Sequence, residues 1–353
     1  MNFNLRINFP GPGEIIRGRN LRKDLSKRLK EIGESVLVMG PQEVFEEYEG
    51  YFKVSLSKTK NFICFFNGEC SYKEIERIEK IGRKNSVDMV FCFGGGKAID
   101  TGKYVSYLLK KPLIVLQTSS STCAGYSHHS VIYEENGVFI EEKESKNPEF
   151  LFIDYDILIE EPQKLFRAGV ADALSKFYEL KNVKGPLAEL GIEVSKRIYV
   201  KTNAIVLNAM RDLLAKRMSE DILDIFDISI LYPGIVGYLG GKVLRAGVAH
   251  AFSNAITNFI PKYPELKKKL HGEIVGFGIL LMLYLKENFD ELFSLRRLFK
   301  KIRVPVNFKE LGIESISVDE LKEISKETIK QEIYNLEKDE NKFFNALRAI
   351  GLS

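Results

Sequence analysis

Cysteine is scarce in this chain. There are four in 353 residues, at positions 64, 70, 92 and 123, and none forms a CxxC pair. A disulfide-stapled scaffold is thereby excluded, and Cys64 and Cys92, set inside apolar runs, are expected as reduced core thiols. An excess of one charge is also lacking: 52 Lys and Arg stand against 48 Asp and Glu. With no basic stripe interleaved with aromatics, nucleic acid is not an expected partner. No uncharged apolar run approaches the roughly 18–20 residues of a membrane span, so no membrane partner is expected. The opening MNFNLRINFPGPGE has no apolar signal core, and a cytoplasmic location is the expectation. Histidine is as rare as cysteine, with only His128, His129, His250 and His271.

What is present is a hydrophobic share of 45%, enough to bury a full core, and length for two ordinary domains. Ser35–Gly40, Asn61–Gly68, Val87–Gly96 and Pro112–Thr118 are short, β-rich and closed by turn residues. Between them lie polar segments of helical period, such as Tyr72–Asn85. Strands alternating with helices predict a parallel sheet covered on both faces. Ser130–Lys143 predicts a hairpin turning at Glu135–Gly137 on Asn-Gly, and Phe150–Asp154 a last strand. Beyond about Pro162 the periodicity turns helical throughout. The expectation is a Rossmann-like α/β nucleotide-binding domain over residues 1–160 and an all-helical domain over 161–353. A site is expected in the cleft between them, at the carboxyl ends of the strands.

The stretch FGGGKAIDTGK, Phe93–Lys103, places three glycines between a strand and a helix. Glycines let a backbone approach a ligand closely, and a helix N-terminus offers free N–H groups to a phosphate. The pattern is neither GxGxxG nor GxxxxGK[ST], and a plain tight turn would read the same way. Gly102, on the helix, suits close packing. Gln117–Tyr133 then crowds hydroxyls and small residues onto the end of the next strand.

His250 and His271 lie in helical surroundings, and Asp172 sits on an otherwise apolar helix face in AGVADALSKFYE. A buried carboxylate must be paired, capped or coordinated. One carboxylate and two imidazoles suit Zn²⁺ or Fe²⁺, but spacing does not join residues so far apart, and each of the three also reads as a locally satisfied structural residue.

The ordered set FGGGKAIDTGK, TSSSTCAGYSHHSVIYEENG, NPEFLFIDYDIL, LFRAGVADALSKFYE, AHAFSNAIT and HGEIVGFG spans nearly the whole chain. Taken together it resembles the iron-containing alcohol dehydrogenase superfamily, in its glycerol dehydrogenase-like branch. The resemblance implies a dehydroquinate synthase-like architecture and a divalent metal, Zn²⁺ or Fe²⁺, held by Asp172, His250 and His271. It also implies NAD or NADP lying on Gly94, Gly95, Gly96 and Lys97, with contacts from Thr118, Ser119, Ser121, Ser127, His129 and Tyr133. His129 departs from the small or aliphatic residue usual there. Homo-oligomerisation follows by analogy.

Two departures bear on the substrate. Glycerol dehydrogenases carry an Asp where this chain has Cys123, and a thiol does not replace a carboxylate that accepts from diol hydroxyls. Pro41 stands where an acidic residue would bind the adenosine ribose, which opens the way to NADP. The expected function is hydride transfer between NAD(P) and a small alcohol or polyol. The alternative is NADPH-dependent reduction of a 2-oxo acid on the same fold. Glycerol-1-phosphate dehydrogenase and a dehydroquinate synthase-type lyase rank lower. No general base is evident, and Cys123 is expected to line the substrate pocket. The Lys267–Lys269 run reads either as an attractor of an anionic substrate or as a solvated face.

Overall fold

The computed structural model describes residues 11–180, 184–331 and 339–352. The reading of the first ten residues as free of a leader lies outside this range. Eight strands occur among the described residues: β1 (Glu14–Gly18), β2 (Ser35–Gly40), β3 (Lys60–Phe65), β4 (Met89–Gly94), β5 (Leu113–Gln117), β6 (His129–Tyr133), β7 (Phe139–Glu144) and β8 (Phe150–Asp154). Six form one parallel sheet in the order β1-β8-β5-β4-β2-β3, and β6 pairs antiparallel with β7.

Composition explains the order. Every residue of β4 (MVFCFG) and β5 (LIVLQ) is buried, the pattern of central strands covered on both faces. β3 buries only Cys64 and β1 buries nothing fully, so these two take the edges. Gly102 lets the helix Gly96–Leu109 lie tight on the sheet: a Cβ there would come within 2.7 Å of the Cβ of Cys92. The hairpin forms as expected. Val138 N donates to Asn136 Oδ1 at 3.0 Å, and Gly137 takes a φ of +98° that favours glycine.

β1 escaped the sequence reading. It pairs with β8 from Glu14↔Phe150 to Gly18↔Asp154.

After Asp154 the described residues form helices and no strand. Glu220–Gly241 is apolar and long enough to cross a bilayer by composition. Here it is two helices, Glu220–Ile230 and Tyr232–Arg245, broken at Leu231. Asp227 inside it accepts hydrogen bonds from Tyr155 Oη at 2.9 Å and from Arg17, binding the segment to β1.

Three further helices position the site: Gln163–Tyr178, Val248–Ile256 and His271–Leu285. Their crossings are closer than side chains would permit. A Cβ on Gly272 would lie 2.0 Å from Ala168 O, and one on Gly278 would lie 2.7 Å from Ala249 Cα. The buried Glu273 adds a polar tie, accepting Arg167 Nη2 at 2.7 Å and Leu270 N at 3.0 Å.

Candidate active site

A cavity of about 350 Å³ opens where the ends of β4 and β5 face the helical half. Its wall from the strand side includes Gly96, Lys97, Ser121, Cys123, Ser127, His129 and Tyr133. The opposite wall includes Asp172, His250 and His271.

The helix crossings bring these last three together. Asp172 Oδ1 lies 3.5 Å from His250 Nε2 and 3.8 Å from His271 Nε2. Tetrahedral coordination at bond lengths near 2.0–2.1 Å places donor atoms about 3.3 Å apart, so small rotations would close this set on one ion. Asp172 Oδ1 is buried without a hydrogen bond among the described residues. An orphaned carboxylate oxygen costs folding free energy unless something else satisfies it, and a cation would.

The imidazoles are oriented from behind. His250 Nδ1 contacts Glu179 Oε2 at 2.6 Å, while Glu179 Oε1 accepts Gly247 N at 2.9 Å and His250 N at 3.1 Å. Ser253 Oγ sits 3.3 Å from His271 Nδ1. Both rings therefore turn Nε2 toward Asp172, the arrangement by which outer partners fix a ligating histidine. Burial pushes the Asp172 carboxyl up, but the contact with His250 and the neighbouring His271 and Lys176 outweigh it and hold it below the usual range. Burial lowers His271 to about 4, against the pull of Asp172, so its ring is neutral at neutral pH, the form a metal needs. Burial lowers His250 too, but Glu179 outweighs it and the net shift is upward.

The glycine turn behaves as a turn must. Gly94 has φ +133°, where a side chain would be strained, and a Cβ on it would also lie 2.9 Å from Pro41 Cδ. A Cβ on Gly96 would meet Thr122 at 2.8 Å, so the turn tucks beneath the hydroxyl-rich loop. Gly94, Gly95, Thr118 and Ser119 are not among the cavity-lining residues. They lie behind the wall: Thr118 N donates to Gly94 O at 3.1 Å, and Ser119 Oγ contacts Ser121 Oγ at 2.7 Å. Lys97 Nζ pairs with Glu69 Oε2 at 2.7 Å and lies over the Tyr133 ring.

Three structural supports had no sequence reading. Lys103 is fully buried, and its ammonium donates to Ala124 O at 2.9 Å, Ser127 O at 3.2 Å, Ser127 Oγ at 3.1 Å and His129 O, and pairs with Asp100 at 2.8 Å. It thereby sets the loop that carries Cys123 to His129. Glu161 receives Ser120 N at 2.7 Å as well as the Ser120 hydroxyl, and burial pushes its carboxyl up to about 8 despite those bonds. Glu179 is the third. The i,i+3 spacing of Asp100 and Lys103 was a visible signal; for Glu161 and Glu179 there was none.

Sequence and fold comparisons bear on the family and the fold. The family model of iron-containing alcohol dehydrogenases matches residues 12–155. Glycerol dehydrogenase of Citrobacter freundii is 31% identical over 258 residues, 70% of this chain and 69% of that protein. Glycerol dehydrogenase of Thermotoga maritima is 29% identical over 329 residues, 89% of this chain and 87% of that protein. The crystal structure of a probable glycerol dehydrogenase from Sinorhizobium meliloti 1021 superposes with a TM-score of 0.84 at 22% identity, covering 98% of each chain, a likeness of fold. Since the likeness in sequence reaches across both halves, this protein belongs to the iron-containing alcohol dehydrogenase family, in its glycerol dehydrogenase-like branch of oxidoreductases acting on alcohol CH–OH groups.

Proposed function

We propose that the protein transfers hydride between NAD(P) and a small alcohol or polyol, with a divalent metal held by Asp172, His250 and His271. The observation that carries this reading is the buried, unsatisfied Asp172 Oδ1 flanked by two inward-turned imidazoles on a cavity wall. A metal there would supply Lewis acidity to a substrate oxygen, and the nicotinamide would supply the hydride acceptor or donor.

The chain's own residues do the rest. Gly96 and the hydroxyls of Ser121 and Ser127 would hold the dinucleotide from the strand side, with Gly94 and Gly95 shaping the turn behind them. His129 and Tyr133 flank it. The helical wall fixes the substrate oxygen opposite, so the contribution of the fold is positioning in a recess that limits water. The cofactor-facing role of Lys97 is a charge shared with Glu69 rather than a lone cation.

A second reading, reduction of a 2-oxo acid with NADPH, is favoured by one observation. Cys123 lines the cavity where a polyol-binding carboxylate would stand, and Lys176 and Lys269 line it too.

The test is a substrate-by-cofactor matrix, followed by absorbance of the reduced nicotinamide. Zn²⁺- or Fe²⁺-loaded protein is paired with NAD or NADP forms and with glycerol, other diols, simple alcohols, 2-oxo acids and glycerol-1-phosphate. Alcohol or diol turnover that chelation abolishes is expected. Reduction of 2-oxo acids alone would favour the second reading, and turnover untouched by chelation would overturn the metal assignment.

A further inference from the structure

The cavity carries a second group of donors on the β6–β7 ribbon. His128, His129 and Glu144 each bring one ligand atom within 4.8 Å of the others. The two imidazoles line the cavity with ring centroids 3.7 Å apart, and Glu144 on β7 stands opposite His129 in the antiparallel register.

A relay of hydrogen bonds orients this group. Tyr238 Oη donates its single proton to Asn147 Oδ1 at 2.6 Å. It is therefore an acceptor toward His128 Nδ1, 2.7 Å away. That places the proton of neutral His128 on Nδ1 and the lone pair on Nε2. Glu179 does the same for His250. The backbone is held as well: His128 O accepts Ser145 N at 2.8 Å and Ser145 Oγ at 2.6 Å, and His129 O accepts Lys103 Nζ. An oriented imidazole, an adjacent imidazole and a carboxylate form a donor set for borderline divalent metals of the zinc class rather than for Mg²⁺ or Ca²⁺.

We propose that His128, His129 and Glu144 form a second, weaker site for a zinc-class divalent cation, and that its occupation excludes the dinucleotide. It is weaker because its carboxylate, Glu144, is exposed and must be ordered on binding, whereas Asp172 is already buried. The exclusion rests on the proposed placement of the dinucleotide against His129; the site itself does not. Excess zinc then inhibits by competing with the nucleotide.

Equilibrium dialysis against Zn²⁺, with metal counted per chain, tests the site. The parent protein is expected to hold one tight and one weaker equivalent. Glu144→Gln should weaken the second at least tenfold, leave turnover at stoichiometric metal unchanged and relieve inhibition by excess zinc. His271→Ala should weaken the tight equivalent and spare the other. A single equivalent in the parent, or a second one untouched by both Glu144→Gln and His128→Gln, would overturn the site. Two equivalents with inhibition that added nucleotide does not relieve would overturn the exclusion. Two equivalents without hydride transfer to any substrate would uphold the site while the functional reading fails.

Discussion

Glu179 Oε2 lies 2.6 Å from His250 Nδ1, and the same carboxylate collects two backbone N–H groups from the start of the histidine's own helix. One side chain thus sets both the ring and the helix that carries it. Loss of such an outer partner typically lowers metal affinity 10–100-fold. Glu179→Gln is expected to fall within that range, read by competition with a chromogenic chelator. Affinity equal to the parent's would show that the ring is held by packing alone.

On the proposed reading, Cys123 on the cavity wall sets the class of alcohol. Cys123→Asp puts a carboxylate that can accept from diol hydroxyls on the cavity wall, and kcat/KM for glycerol is expected to rise at least tenfold, worth about 1.4 kcal/mol of transition-state binding. The control is a simple primary alcohol, whose kcat/KM should not rise. Equal gains on both would point to altered cofactor placement instead.

Lys103 is a structural cation. Lys103→Met leaves Asp100 buried without its partner and frees three loop carbonyls, for an expected loss of about 3–5 kcal/mol in urea unfolding. Adding Asp100→Asn should recover part of that loss. Nucleotide affinity should fall in the single variant, since the loop from Cys123 to His129 loses its anchor.

Glu161 makes stability depend on pH. Its folded-state value is raised from 4.5 to about 8, so the folded protein binds the proton more tightly than the unfolded chain does. Its contribution is complete below about pH 4.5 and is lost as pH rises toward 8, at no more than roughly 1.4 kcal/mol per pH unit. Glu161→Gln keeps a neutral acceptor for Ser120 N, so the Tm of this variant should decline less than the parent's between pH 5 and 8. Parallel Tm curves would rule out Glu161 as the titrating group.

Much of the fold was legible because the chain segregates its residues so cleanly. β4 and β5 are apolar at nearly every position, and the Asn-Gly turn announces the hairpin. β1 was hidden because EIIRG is short, half polar and flanked by glycines, and its strand character comes from β8 rather than from its own pattern. Asp172, His250 and His271 carried no mutual signal, since backbone contacts at Gly272 and Gly278 bring them together and local periodicity does not record those. The resemblance gives Lys97 a dinucleotide to hold; its partner in the structure, Glu69, lies one helix and one strand earlier in the chain. Short-range chemistry was readable, and long-range partnership was not.

The pairing of β1 with β8 also sets a schedule. Glu14 finds Phe150 only after the intervening chain has been made, about 7–27 s later at 5–20 residues per second. From the synthesis of β5 until β8 is made, the growing sheet presents an uncapped flank at β5, of the kind that recruits strands from other chains. The nascent protein is therefore most vulnerable to misassociation just before its eighth strand emerges, and slowing translation there would lengthen the exposure.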